Sequence, residues 1–141
     1  MPGASASIVV NAPLKVVYDV VLDFEKYSEF LPDVKKASVE KKGKTIIADF
    51  EISVLRRIHY TLSVTAVPSK KISWTLVKSD FFKDNKGHWE FKEAGKGKTQ
   101  ATYTADVDFG FMVPSIITKK LVGSSLPSML KRFKERAEKL V

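Results

Sequence analysis

The spacing of apolar residues changes period twice along the chain, and the two changes divide it into three parts. "ASIVVNA" reads as a short first strand. Pro13 then suits the first turn of a helix, along which Val16, Val17, Val20, Val21 and Phe24 form one apolar stripe. Asp23 is placed to cap a second short helix, "FEKYSEFL", which Pro32 ends. From there to Phe111 the period is two. Lys42-Gly43-Lys44 is a turn, and "TIIADFEISV" puts Ile46, Ala48, Phe50, Ile52 and Val54 on one face. "IHYTLSVTAV" sets Ile58, Tyr60, Leu62, Val64 and Ala66 against His59, Thr61, Ser63 and Thr65. Pro68-Ser69-Lys70 turns the chain into "KISWTLV", and "DFFKDNKG" leads to "HWEFKE". After the turn "AGKGK", "TQATYTADVDFGF" alternates most cleanly, with Tyr103, Ala105, Val107, Phe109 and Phe111 on one side. Alternation of this kind predicts antiparallel strands with one covered and one wet face.

Helical spacing returns at the end. Leu126, Met129, Leu130, Phe133, Ala137 and Leu140 make a stripe, with a start near Pro114 and a kink or restart predicted at Gly123 and Pro127. A strongly twisted sheet of this size curls, and the last helix is the only long amphipathic element left to cover its inner face. The expected class is α+β: about seven curved antiparallel strands around a long C-terminal helix, with two short helices after the first strand. The enclosed space is rich in Phe, Tyr and Trp, which makes either a packed core or a ligand cavity.

Composition narrows the picture. A chain of 141 residues is read as one domain, 1–141, with residues 1–6 a flexible tail. No cysteine is present, so disulfides, thiolate zinc sites and a cysteine nucleophile are excluded. The opening "MPGASASIVV" has no basic and apolar leader pattern, and no run approaches a membrane span; the expectation is a cytoplasmic protein. The net charge of +8 is spread over turn lysines (Lys41, Lys42, Lys44; Lys70, Lys71; Lys96, Lys98) and along the last helix, and the dispersed turn lysines read as a solvated surface. They leave open an electrostatic contact with a ribosome or an anionic membrane. Strand aromatics point toward the covered face, which argues against base stacking on the sheet and against specific DNA binding.

Candidate chemistry is sparse. His59 and His88 alternate onto the wet face, as do the pairs Asp49/Glu51 and Asp106/Asp108, where burial cannot separate their pKa values. No ligand spacing points to a metal, and no cofactor motif is found. Tyr60 and Tyr103 face inward, where they serve either as core residues or as hydrogen-bond donors to a ligand oxygen. Arg56 and Arg57, at a strand-to-strand turn, are candidate polar anchors at a cavity mouth.

"VNAPLKVVYDVVLDFEKYSEFLPDVKKASV" and "FFKDNKGHWEFKEAGKGKTQATYTADVDF" resemble the two halves of the START-like, helix-grip (SRPBCC) superfamily, in its coenzyme-Q-binding and polyketide cyclase/dehydrase-type branch. The resemblance spans Ser7 to Leu140. It implies the helix-grip fold and a cavity contacted by Tyr27, Phe30, Leu31, Phe50, Tyr60, Trp74, Phe81, Trp89, Phe91, Tyr103, Ile117 and Met129. The loop around Phe81-Phe82 and the Tyr27–Pro32 segment would flank the mouth. Non-catalytic binding or transport of a quinone, isoprenoid or other lipid is the first expectation. Members of the superfamily also cyclise polyketides or associate with ribosomes as toxins, and fold alone does not choose among these.

Overall fold

The period-two region forms six successive strands, β2 (Val34–Lys42), β3 (Thr45–Val54), β4 (Arg56–Val67), β5 (Lys71–Ser79), β6 (Asp84–Gly95) and β7 (Lys98–Asp108). With β1 (Gly3–Val10) they make one sheet in the order β1-β7-β6-β5-β4-β3-β2, antiparallel throughout. The structure is a computed structural model and describes residues 3–54, 56–80, 83–108 and 115–141. Phe81, Phe82, Phe109 and Phe111 lie outside the described residues. Gly43 (φ 62°) and Gly97 (φ 68°) sit at two hairpin tips, in the left-handed region where a side chain is disfavoured. The edge strand β2 is lysine-rich, which discourages pairing with another sheet.

The tail expected over residues 1–6 is strand from Gly3 onward. Gly3 stands opposite Asp106 and Ala6 opposite Tyr103. On the outer face the Ser5 and Thr104 hydroxyls lie 3.1 Å apart, and those of Ser7 and Thr102 2.8 Å apart. Pairing to β7 organises a segment whose small polar residues carry little strand signal of their own.

Helix α1 (Leu14–Leu22) begins one residue after Pro13, which holds the N-cap position rather than the first turn. The Pro13 carbonyl accepts from Val16 and Val17, and Val17, Val20 and Val21 are buried with Tyr18. The second short helix, Phe24–Glu29, is a 3-10 helix. Asp23 occupies its cap position without a side-chain cap bond. Helix α2 (Ser115–Lys139) runs through both Gly123 and Pro127 as one element, although Pro127 cannot donate to the carbonyl one turn back. It lies against β1 and α1, burying Leu130, Phe133 and Ala137. Among the described residues no helix is long and apolar enough to cross a membrane.

The core lies between the inner face of the sheet and these helices. Val10, Val21, Ile58, Val64, Ile72 and Thr99 are fully buried. The Thr99 hydroxyl donates to the Ala12 carbonyl over 2.8 Å, tying the start of β7 to the β1–α1 junction. An unpaired buried carbonyl there would cost about 1–3 kcal/mol.

Candidate functional site

Inward-pointing aromatics from five strands, both short helices and α2 meet in the interior. Phe50 and Tyr60 are directly opposed on β3 and β4, and their rings stack at 5.2 Å. Trp89 and Tyr103 oppose each other on β6 and β7 and meet edge to face at 5.1 Å; Trp74 of β5 stacks on Tyr103 at 5.5 Å. Trp89 also stacks on Phe91 at 6.0 Å, which meets Tyr18 of α1 at 5.7 Å. Phe133 of α2 joins the groups, lying 5.2 Å from both Tyr27 and Phe30 and 5.1 Å from Trp89.

Three tyrosine hydroxyls share this interior. Burial pushes the Tyr103 hydroxyl up to about 12. Burial and then the neighbouring Tyr103 raise Tyr60. Tyr27 is raised well above its ordinary value, by burial first and then by Tyr103, Tyr60 and Asp23. The mutual influence places the three phenols around one space. Tyr27 is buried and its hydroxyl donates to the Val21 carbonyl. Tyr60 and Tyr103 instead keep part of their accessible surface.

The Tyr27–Pro32 segment closes one end. Tyr27 and Leu31 are buried and Phe30 is half-buried, held between Phe133 and the Arg136 guanidinium 5.3 Å above its ring. Arg136 also pairs with Glu29 at 2.6 Å. Outside this plug lies a groove of about 250 Å³ whose walls include Val20, Phe30 and Leu140 with the charged Asp23, Lys26 and Arg136.

The other predicted contacts fall in different places. Met129 is half-buried against the core. Ile117 belongs to α2 and Arg56 opens β4, but their side chains are outside the description, as is Phe81 entirely. Arg57 is exposed and pairs with Glu51 at 3.7 Å. His59 is exposed, and His88 meets Glu90 at 2.9 Å on the outer face. Asp49 accepts from the Thr61 hydroxyl, and one oxygen of Asp106 is buried without a hydrogen bond among the described residues. No group of His, Asp and Glu that could hold a metal occurs among the described residues.

Two central residues, Asn85 and Gly87, escape the sequence reading, which places Phe133 on the apolar stripe of the last helix without singling it out as a contact. Phe133 lies on the same stripe as Met129 but one turn deeper. Asn85 is buried and accepts from the Trp74 indole N–H over 3.1 Å. Gly87 lies opposite both Trp74 and Ala105. The alternation of Trp89 and Phe91, carried back past His88, would have placed Gly87 and Asn85 on the inner face.

Residues 10–134 match the family described as polyketide cyclase / dehydrase and lipid transport. The chain belongs to this family. Its similarity to the ribosome association toxin RatA of Pseudomonas aeruginosa is 23% identity over 137 residues, covering 95% of this chain and 94% of that protein. Among solved structures, a START superfamily protein from Mycobacterium smegmatis superposes with a TM-score of 0.87, at 20% identity and 99% coverage of both chains. The Zhui aromatase/cyclase of Streptomyces sp. R1128 gives 0.86 at 16% identity, covering 97% of this chain and 93% of that one. These likenesses establish the START-like, helix-grip fold of the family member.

Proposed function

We propose that the protein binds a hydrophobic small molecule, of the quinone, isoprenoid or lipid class, in the space around Tyr60 and Tyr103, as a carrier or sensor rather than as a catalyst. One observation carries this reading: Tyr60 and Tyr103 face a largely apolar interior as half-buried residues, and desolvation there holds their phenol protons tightly. At neutral pH such hydroxyls are uncharged donors, suited to a carbonyl or quinone oxygen and unsuited to general-base work. Among the described residues the inner face carries no acid or histidine to serve as a base. Family membership supports a hydrophobic ligand without naming it. Native mass spectrometry of the purified protein, with thermal shifts across quinones, fatty acids and isoprenoids, tests the reading. An oxygenated ligand should bind several-fold more weakly to Tyr103→Phe, the effect of one lost hydrogen bond of about 0.5–1.5 kcal/mol. A protein that is empty and unshifted across the panel, or that turns over a poly-β-ketone, would contradict it.

A second reading, ribosome association, is favoured by the similarity to RatA along nearly the whole of both chains. Its test is salt-dependent cosedimentation with ribosomal subunits; no cosedimentation at low salt removes it.

A further inference from the structure

The turn lysines are scattered in sequence but gathered by topology. In an antiparallel meander alternate turns fall at the same end of the sheet. The β2–β3, β4–β5 and β6–β7 turns therefore share one end, and these are the three lysine-rich tips: Lys41, Lys42 and Lys44; Lys70 and Lys71; Lys96 and Lys98. All seven are exposed, and among the described residues none is in an ion pair. The acids on the same strand ends are fewer, namely Glu40, Glu90 and Glu93, and Glu90 is already engaged by His88. The four arginines are elsewhere, Arg56 and Arg57 at the opposite end of the sheet and Arg132 and Arg136 on α2.

Exposed aliphatic side chains accompany these lysines. Val9 is the penultimate residue of β1 and Val67 closes β4 opposite Lys71, 47% and 45% exposed. Leu140 and Val141, 60% and 73% exposed, follow the end of α2. That helix end reaches the same region, because Glu138 accepts from the Asn11 backbone just beyond β1. The tips also step along the sheet: Thr45, beside the first tip, stands opposite Thr65, whereas Ser73, near the second, stands opposite His88, well short of the third. The positive charge is thus spread rather than focused on one small anion.

We propose that this end of the molecule docks on an anionic lipid surface. Lysines spaced over an extended rim suit a plane of negative headgroups, and the aliphatic tips can enter the interfacial layer. A nucleic-acid backbone would use the lysines but leave Val9, Val67, Leu140 and Val141 without a role. The proposal is separate from the ligand reading, since the rim residues lie outside the interior and ligand uptake is measured on its own.

Flotation of the full chain with vesicles of phosphatidylcholine, alone or mixed with phosphatidylglycerol, tests it. Binding is expected only to the mixed vesicles and should weaken as salt rises. Lys70→Glu/Lys71→Glu, with an unchanged circular dichroism spectrum, should reduce partitioning by at least about 25-fold, taking about 1 kcal/mol, or roughly fivefold, per lysine. Lys70→Arg/Lys71→Arg should retain binding, and Leu140→Ser should weaken it without altering the salt dependence. No binding to mixed vesicles at low salt, equal binding to neutral vesicles, or wild-type binding by the Glu variants would overturn the proposal. Structured RNA that displaces the protein from the vesicles at equal phosphate would overturn it in favour of an RNA surface.

Discussion

At the scale of single residues, the tightest constraint is Gly87. A Cβ built there would lie 2.8 Å from the Trp74 ring and 2.9 Å from the Ala105 Cα, and closer still to the Thr104 carbonyl. The first neighbour is a ring held by Asn85 and stacked on Tyr103, and the others are backbone, so little can yield. Gly87→Ala is expected to cost at least the ~1–3 kcal/mol of an overpacked core, read as a lowered urea midpoint. A midpoint equal to wild type would show that β6 and β7 can separate at that point. Tyr103 is the complementary case: its hydroxyl can be removed with little cost to the fold, and the loss should appear in ligand affinity.

Among the elements, the contact between the 3-10 helix and α2 decides whether one end of the interior is plugged or gated. Three interactions hold it, the Glu29–Arg136 pair, the Arg136 guanidinium over Phe30 and the packing of Phe133, and the first and last differ in magnitude. The Glu29–Arg136 pair is partly exposed, at 53% and 26% for the two side chains, so it is worth at most ~1 kcal/mol. Phe133 is buried among Tyr27, Phe30 and Trp89, and Phe133→Ala should cost ~3–5 kcal/mol. Glu29→Gln should therefore leave the melting temperature nearly unchanged. Phe133→Ala should lower it and speed hydrogen exchange in the 3-10 helix more than in the β3–β4 pair. Uniform acceleration across the sheet would mean that Phe133 supports the whole core rather than this closure.

Across the whole molecule, all four tyrosines are shifted in one direction. Tyr18, Tyr27, Tyr60 and Tyr103 are each raised from the ordinary value of 10.0, with burial the largest cause in every case. An unfolded tyrosine loses its proton near 10, whereas the folded chain retains it. The folded state thus binds more protons in that range, and stability falls as pH rises. The contribution is complete below 10 and is lost as pH climbs through the Tyr103 value of about 12. An alkaline titration should show less phenolate absorbance at pH 10 than four ordinary tyrosines would give, and then a cooperative rise coincident with loss of circular dichroism. Phenolate at pH 10 equal to that of four ordinary tyrosines in a still-folded chain would contradict the burial of these groups.

Much of this was legible in the residues themselves. Strict alternation assigned the inner and outer faces of β3, β4 and β7, because a period of two leaves a half-buried strand only one way to face. It also put both histidines outside and Phe50, Tyr60, Trp89 and Tyr103 inside. The helical stripes marked α1 and α2, and the quoted segments carried the family resemblance. Local sequence missed what depends on distant partners: β1 extended back to Gly3 by pairing with β7, and β6 extended back to Asn85 and Gly87; of the kink or restart expected in α2, the restart does not occur, since one helix runs through Pro127. Three phenols from β4, β7 and the 3-10 helix share one space only because the sheet curls around Phe133. Likewise, three lysine turns that look dispersed along the chain become one charged end only when strand order is known. Periodicity is a property of neighbours in sequence, whereas a site and a docking surface are properties of neighbours in space.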